Sequence, residues 1–343
     1  MDAAAIYRDS LIWDDHCGFE MLPDAPLAPL LTPWREAGVD YLSINVGYDV
    51  KAWTRTIENI AALRRRLPLE APFCRLVSSV ADIDAARAEG KLAVTFDIEG
   101  MDALNGRADM VQFYYDLGVR HMLFAYNRNN LAGSGCHDED TGLTDFGRQV
   151  IDEMNRVGMV VDCSHSGFKT TMAAMERSSV PVVFSHSNPK ALVDHDRNIT
   201  DEQIKGCAAT GGVIGINGVS LFLGEETASP ANVARHAAYV AELTGPEHVG
   251  ISLDYAPKTE APKTGASETE ETGPGESTGI SETIARDPYY WPPGTGYERG
   301  VSYLDIRRLP EVAGELAKAG FTAPDIAGIL GGNFKRVAQQ VWK

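Results

Sequence analysis

The sequence has 343 residues, with 31 Lys and Arg against 48 Asp and Glu, which gives a formal net charge of −17. This acidic balance argues against a sequence-independent nucleic-acid binder, which needs a basic face, and against adhesion to anionic membranes. The hydrophobic share of 44% is that of an ordinary globular protein, and a chain of this length can bury a core without disulfides or a structural metal.

The cysteines and the N-terminus indicate the compartment. Five scattered cysteines without a C-x-x-C pair argue against a disulfide scaffold and against a thiolate zinc site. The first residues lack a basic start followed by an apolar run, and no apolar stretch approaches the roughly eighteen residues of a membrane span. We therefore expect no signal peptide, no membrane span and a cytoplasmic location.

Short apolar runs alternate with amphipathic stretches along the chain. Several runs are continuous rather than alternating, as is typical of strands buried on both faces. The runs cover residues 10–13, 41–46, 74–80, 92–98, 121–126, 159–163, 180–184, 213–216 and 248–253. This alternation predicts a (β/α)8 barrel formed by a single domain over residues 1–343. An open doubly wound sheet is the alternative, but the Gly-rich phosphate turn G-x-G-x-x-G that it would want is missing from the sequence.

Two helices can be predicted with their boundaries or caps. Apolar residues at helical spacing indicate a helix over residues 145–157. A second helical pattern covers residues 200–207, where Thr200 and Gln203 can form a capping box, each satisfying a free backbone N–H near the other. Both helices lie between apolar runs, as the barrel interpretation requires.

One segment, at about residues 257–296, departs from this pattern because it is rich in Pro, Gly, Ser, Thr and Glu. Such a composition cannot bury a core of its own, so the segment is expected to be a long polar loop that follows a strand. Long loops in compact domains are either lids or disordered insertions, and the sequence leaves both open. The aromatic cluster at its end, Tyr289, Tyr290 and Trp291, is the part expected to pack on the barrel.

Residues of the metal-binding type stand where several apolar runs end. Three histidines do so, namely His16, His165 and His186, and the carboxylates Glu99 and Asp254 occupy equivalent positions. In a (β/α)8 barrel the carboxyl ends of all strands converge on one mouth, where such enzymes place their chemistry. Imidazole and carboxylate ligands suit Zn²⁺ and similar divalent ions, so a metal site is predicted at this mouth. The remaining histidines are expected to have structural roles: His121, His137, His195, His236 and His248.

Longer motifs carry a resemblance to a known family. The segments concerned are WDDH at 13–16, DIEG at 97–100, GLTDFG at 142–147, MNRVG at 154–158, VDCSH at 161–165, FSH at 184–186, RN at 197–198 and GGNF at 331–334. With these segments in this order, residues 6 to 341 resemble the membrane dipeptidase (renal dipeptidase) family of zinc metallopeptidases. The resemblance implies a distorted (β/α)8 barrel, with the metal site at the C-terminal strand ends, that hydrolyses dipeptides.

The resemblance also implies a role for each residue at the mouth. Glu99 is similar to the carboxylate that bridges two zinc ions in the family. His165 and His186 are similar to the imidazoles that hold one of these ions, and His16 to an imidazole on the other. Asp254 corresponds to an acidic residue near the bridging water and the substrate amino group.

The expected chemistry fits these residue types. Zinc-bound water has a pKa of about 7, so hydroxide on the metal can attack the peptide carbonyl. Glu99 and Asp254 are the expected catalytic carboxylates, and Asp254 can relay the proton to the leaving amine. Arg197 is similar to the family's arginine for the free carboxylate of the substrate. A guanidinium fork suits that planar group and would exclude substrates without a free C-terminus.

Two positions depart from the family pattern. The first motif of the family reads His-x-Asp, with the aspartate as a zinc ligand, whereas here Gly18 offers no side chain. The zinc site of His16 and Glu99 is therefore short of a ligand: it is weak, empty, or completed by water or by a residue from elsewhere. Tyr126 stands where the family commonly has a histidine aimed at the scissile carbonyl, and a phenol can still donate a hydrogen bond to a developing oxyanion.

Zinc-dependent hydrolysis of L,L-dipeptides, and of L,D or modified ones, is thus the leading hypothesis, with one or two ions per chain and a small dipeptide as the partner. One alternative is a one-metal amidohydrolase variant that acts on another small amide. The other is a catalytically silent barrel that binds peptides, although loss of catalysis would be expected to erase several motif positions. Nucleic acid and membrane are not expected as partners, and a homodimer is one option for the oligomeric state.

Overall fold

The computed structural model describes residues 2–19, 26–257, 283–285 and 287–343. Within these ranges the strands are β1 (Trp13–Cys17), β2 (Tyr41–Tyr48), β3 (Cys74–Leu76), β4 (Leu92–Glu99), β5 (Val119–Leu123), β6 (Val160–Asp162), β7 (Val183–Phe184), β8 (Val213–Ile216) and β9 (Val249–Ile251). The helices are α1 (Ala3–Asp9), α2 (Leu27–Ala37), α3 (Trp53–Glu70), α4 (Val80–Ala88), α5 (Met110–Asp116), α6 (Asp145–Val157), α7 (Phe168–Arg177), α8 (Asp201–Ala209), α9 (Ser220–Leu223), α10 (Pro230–Thr244), α11 (Leu309–Lys318), α12 (Ala323–Ala327) and α13 (Asn333–Val341). Each predicted apolar run overlaps one of these strands.

Eight of the strands form a nearly closed parallel barrel in the order β1-β2-β4-β5-β6-β7-β8-β9, and β3 pairs with β4 beside this path. The ends of β1 and β9 are joined by hydrogen bonds: Gly18 N–H donates to the carbonyl oxygen of Tyr255 at 3.2 Å. Close by, Leu253 N–H donates to a carboxylate oxygen of Asp14 at 3.1 Å. The predicted (β/α)8 barrel is therefore confirmed, and the open doubly wound alternative is wrong.

Strands and helices follow from the sequence pattern. All eight residues of β4 are buried, as expected for a strand covered on both faces. Helix α6 covers the predicted residues, begins where the Thr144 side chain accepts the N–H of Gly147, and ends at Gly158, whose φ of 93° suits a glycine. The predicted capping box of Thr200 opens α8. In the described part of the chain, no helix combines the length and the apolar character that a bilayer crossing requires.

Aromatic side chains close the amino-terminal end of the barrel. Trp13 stacks on Tyr41 with 3.6 Å between ring centroids, and the ring of Phe334 from α13 lies 6.3 Å from Trp13. The ring of Phe334 approaches the backbone of β9 so closely that a Cβ at Gly250 would lie 2.3 Å from it. This end is therefore filled, which leaves the carboxyl ends of the strands as the place for a site.

Candidate metal centre

Four buried side chains from different strand ends meet at the mouth of the barrel, with Asp254 half-buried beside them. Oε1 of Glu99, the last residue of β4, lies 3.3 Å from Nε2 of His165 and 3.4 Å from Nε2 of His186. The same oxygen lies 3.7 Å from Nε2 of His16, which in turn is 3.5 Å from Oδ1 of Asp254. All five predicted residues are thus brought together.

Hydrogen bonds at Nδ1 fix which nitrogen of each imidazole faces this group. Nδ1 of His165 lies 2.7 Å from the amide oxygen of Asn127, which can only accept, so this Nδ1 carries the proton. Nδ1 of His186 lies 2.7 Å from Oγ of Ser185, whose own proton goes to Asp162 at 2.5 Å. The Nε2 atoms of both histidines therefore present lone pairs to the centre.

These lone pairs fit a cation. Nε2 of His165 and Nε2 of His186 are 3.1 Å apart, and neither has a proton to give to the other or to Glu99. Lone pairs and carboxylate oxygens at such distances repel one another unless a proton or a positive ion lies between them. A tetrahedron of zinc–nitrogen bonds of about 2.0–2.1 Å has edges of about 3.3–3.4 Å, close to these separations. The donors therefore suit a divalent ion.

Burial and charge set the protonation of the same groups. Burial, together with the positive charges of His16 and Arg197, lowers the pKa of His165 and His186 well below its ordinary value, so both are neutral. Burial also opposes a charge on His16, but neighbouring carboxylates outweigh it and raise its pKa well above the ordinary value. Burial raises the pKa of Glu99 to about 8. The centre thus favours a positive charge between its acceptors, which a metal ion can supply.

The supporting residues include two asparagines that the sequence analysis did not select. Asn45 on β2 donates from Nδ2 to Oε2 of Glu99 at 3.2 Å, which leaves Oε1 facing the histidines. Asn127 orients His165 and has a φ of 62°. His165 and Asp254 also have left-handed φ values, of 60° and 55°. Three residues at this centre are thus held in a backbone conformation that is unfavourable for residues other than glycine. Strained backbone of this kind clusters at functional sites.

A buried histidine lies one layer deeper in the barrel. Nδ1 of His121, in the middle of β5, lies 3.4 Å from Oδ2 of Asp162, and its Nε2 lies 3.8 Å from Oδ2 of Asp97. Burial works against a charged imidazole, but Asp15, Asp162 and Asp97 outweigh this effect and raise the pKa of His121 to about 10. His121 is therefore an imidazolium among three carboxylates. A structural role is expected for it from the sequence, but it lies closer to the centre of the barrel than the sequence indicates.

This deeper layer supports the mouth directly. Oδ1 of Asp97 accepts the Nδ1 proton of His16 at 3.0 Å, and Asp162 holds the serine hydroxyl that orients His186. His121 contacts both carboxylates, so one connected network positions two of the three imidazoles. The sequence signal that could have located this network is the presence of charged residues inside otherwise apolar strands.

A cavity lies above the centre. Its floor includes Glu99, His165 and Asp254, and its walls are mainly aromatic. The predicted substrate residue Tyr126 stacks on the ring of His165 with 4.3 Å between centroids, and Trp291 meets Tyr126 edge-on at 5.8 Å. The end of the predicted polar loop thus borders this cavity. Residues 258–282 and 286, which hold most of that loop, lie outside the described residues.

Arg197 is buried beside the centre rather than exposed on a loop, with 2% of its surface accessible. Its Nη2 donates to the carbonyl oxygen of His186 at 2.7 Å and its Nη1 to Oγ of Ser187 at 2.9 Å, while its Nε has no partner among the described residues. It lines a recess next to the aromatic cavity, and His165 borders both. A buried cation with an unused donor is suited to an anionic group of a ligand.

Comparison with known sequences places this centre in a family. The model of "Membrane dipeptidase (Peptidase family M19)" matches residues 33–269. Dipeptidase aclJ of Aspergillus oryzae is 28% identical over 294 residues, which are 83% of this chain and 61% of that protein. Dipeptidase tcpJ of Claviceps purpurea is 31% identical over 205 residues, 58% of this chain and 48% of that protein. The chain thus spans about half to three fifths of the length of these relatives.

Solved structures share the fold. An amidohydrolase from Pseudomonas aeruginosa has a TM-score of 0.83 at 25% identity, covering 100% of this chain and 99% of its own. A metallo peptidase from Rhodobacter sphaeroides, liganded with a phosphinate mimic of the dipeptide L-Ala-D-Ala, has a TM-score of 0.76 at 18% identity, covering 97% and 100%. The second likeness concerns the fold alone. Since the family model covers more than half of the sequence, the resemblance seen in the motifs is confirmed, and this chain belongs to the membrane dipeptidase family (Peptidase family M19) of metallopeptidases.

Proposed function

We propose that this chain is a zinc-dependent dipeptidase that hydrolyses L,L-dipeptides and dipeptides with a D- or modified C-terminal residue. The observation that carries the proposal is the convergence of three imidazoles on Glu99 beneath the aromatic cavity. Family membership supports the reaction class, and the two fungal relatives named as dipeptidases support a dipeptide as the substrate class.

In this proposal His165, His186 and Glu99 would hold the principal ion. When bound there, a divalent ion would supply Lewis acidity toward a carbonyl group and toward water near neutral pH. Asn127 and Ser185 keep the two imidazoles in the tautomer that offers Nε2, so that no proton has to leave either ring first.

Proton transfer is assigned to Asp254. Asn217 donates from Nδ2 to Oδ2 of Asp254 at 3.0 Å and so limits rotation of the carboxylate at the cavity floor. A carboxylate there can take the proton of the attacking water and pass it to the nitrogen of the leaving residue. The carboxylate accepts the proton in the first step and, as the carboxylic acid, donates it to the leaving nitrogen in the second.

Tyr126 is assigned to the carbonyl oxygen of the scissile bond. Burial raises the pKa of Tyr126 well above its ordinary value, so the phenol keeps its proton at neutral pH. A phenol held in place by stacking on His165 can donate to oxygen as negative charge develops on it.

The proposal is tested by assaying purified protein on a panel of L,L- and L,D-dipeptides after removal of metal with a chelator and after return of zinc. We expect hydrolysis with zinc, loss with the chelator, and no cleavage of tripeptides or of dipeptide amides. A protein that hydrolyses no member of the panel at any zinc concentration would contradict the proposal.

Arg197→Lys should separate substrate binding from chemistry. Lysine keeps the charge but cannot maintain the two existing contacts and also pair with a carboxylate, so KM for a dipeptide should rise roughly 100-fold with a much smaller change in kcat. Arg336→Lys is the matched control, since Arg336 donates to Gly211 and Glu247 at the closed end of the barrel. Equal KM values for both variants would remove Arg197 from the substrate site.

A one-metal amidohydrolase that acts on another small amide is the second candidate. Gly18, which provides no ligand, is the observation that favours it. One ion per chain together with turnover of a non-peptide amide, and none of dipeptides, would select this candidate.

A further inference from the structure

The space that a side chain at position 18 would fill is already occupied by Asp254. A Cβ added to Gly18 would lie 2.3 Å from Oδ1 of Asp254 and 2.5 Å from its carbonyl oxygen. Real Cβ atoms do not approach other atoms so closely. A side chain at position 18 and the observed position of the Asp254 carboxylate therefore exclude each other.

Several contacts hold Asp254 in that place. The preceding residue, Leu253, donates its N–H to Asp14, and the following residue, Tyr255, accepts the N–H of Gly18. Asp254 itself has a φ of 55°, which turns the chain after β9 back over the end of β1. Its Oδ2 is engaged by Asn217, so its Oδ1 is the oxygen that faces His16. This orientation is fixed by backbone and side chain together.

The separations around Nε2 of His16 resemble those of the first ion site. This nitrogen lies 3.5 Å from Oδ1 of Asp254 and 3.7 Å from Oε1 of Glu99, compared with 3.1–3.4 Å among Glu99, His165 and His186. One imidazole and two carboxylates are a donor set that zinc and similar divalent ions accept, and the Nε2 proton of the charged His16 would be released to solvent when the ion binds.

We propose that Asp254 supplies, from the end of β9, the carboxylate ligand that position 18 lacks, so that His16, Glu99 and Asp254 hold a second divalent ion. The inference rests on the proposed metal-dependent function, because it presumes that the neighbouring site holds an ion. The chain would then hold two ions although its first motif lacks the aspartate. Glycine at position 18 is then the residue that gives Asp254 room to bind.

The test is the number of zinc ions per chain, measured by elemental analysis and by calorimetric titration of the chelator-treated full chain. We expect two ions for the unaltered protein and one for Asp254→Asn. The affinity of this variant for the second ion should fall at least about 100-fold, because loss of a direct ligand should cost more than the roughly 10–100-fold lost when a hydrogen-bond partner of a ligand is removed. His16→Ala should also bind one ion. The double variant of both should still bind one, since both changes affect the same site.

A steric variant and a charge control complete the test. Gly18→Ala changes no donor atom, but its added methyl group should displace Oδ1 of Asp254. The affinity for the second ion should then fall at least about 10-fold, as it does when a residue that positions a metal ligand is replaced. Asp152→Asn removes an exposed carboxylate that pairs with Arg177, and it should keep two ions. Circular dichroism and thermal unfolding identify any variant that does not fold.

The proposal is overturned if the unaltered chain binds one ion at saturating zinc, or if Asp254→Asn binds two with unchanged affinity. These results do not depend on turnover. Two ions with a second site that requires Asp254, in a protein that hydrolyses no dipeptide, would leave the ligand assignment standing and contradict the proposed reaction.

Discussion

Replacing His186 with alanine is expected to lower kcat/KM for a dipeptide at least about 1,000-fold. Removal of one oxyanion donor costs up to about 1,000-fold, and the loss of a metal ligand should cost at least as much because it affects the whole centre. His186 is fully buried and its Nε2 lies 3.4 Å from Oε1 of Glu99. Alanine leaves His165 and Glu99 as the remaining protein ligands of the principal ion. Initial rates at fixed free zinc, together with zinc content, measure the effect.

His248→Ala is the control for this prediction. His248 precedes β9 at the closed end of the barrel and contacts the carbonyl oxygen of Gly212 from Nδ1 at 2.8 Å. It should retain activity and zinc content near those of the unaltered protein. If His186→Ala kept most of its activity while it folded normally, the role of His186 as a metal ligand would be wrong.

Sequence patterns could locate the principal residues of the centre because topology does most of the positioning. Once the strands are parallel and the barrel closes, any histidine or carboxylate at a strand's carboxyl end lies at the same mouth. His16, Glu99 and His186 meet this condition, and their ligand atoms all lie within 4.8 Å of one another. This prediction required strand order and direction but no side-chain detail.

The supporting layer could not be predicted in the same way, because it depends on register between strands. Asp97 pairs with His121 across β4 and β5, and Leu123 pairs with Asp162 across β5 and β6. A shift of one residue would turn each side chain to the other face of the sheet. A single sequence shows the polar residues within the apolar runs, but it does not show which of them face each other.

The position of Asp254 next to Gly18 was also beyond the sequence. The motif showed that a ligand was missing, but the replacement comes from a residue 236 positions later in the chain. Their contact depends on closure between β1 and β9 and on a left-handed residue that is not a glycine. Aspartate is tolerated in that conformation more often than most residues, but its presence there follows from tertiary contacts.

His121→Leu is expected to lower the free energy of unfolding by about 3–5 kcal/mol, because it removes the partner of buried carboxylates and leaves their charge uncompensated. The pKa of His121 in the folded protein, about 10, lies above its ordinary value of 6.5. The stabilisation from the charged imidazole is therefore complete below about pH 6.5 and is lost as the pH rises through about 10. The difference between the unaltered protein and His121→Leu should shrink accordingly in urea unfolding at pH 6, 8 and 10.

His236→Leu provides the matched comparison for this last experiment. His236 is also fully buried, but burial lowers its pKa to about 4, so it is neutral and balances no carboxylate. Its replacement should change the unfolding free energy by less than about 1.5 kcal/mol, as for a volume-conserving core substitution, with little dependence on alkaline pH. If both variants lost the same stability at pH 6, the loss in His121→Leu would reflect packing alone. A larger loss in His121→Leu, together with weaker zinc binding, would identify the buried imidazolium as the common support of His16 and His186.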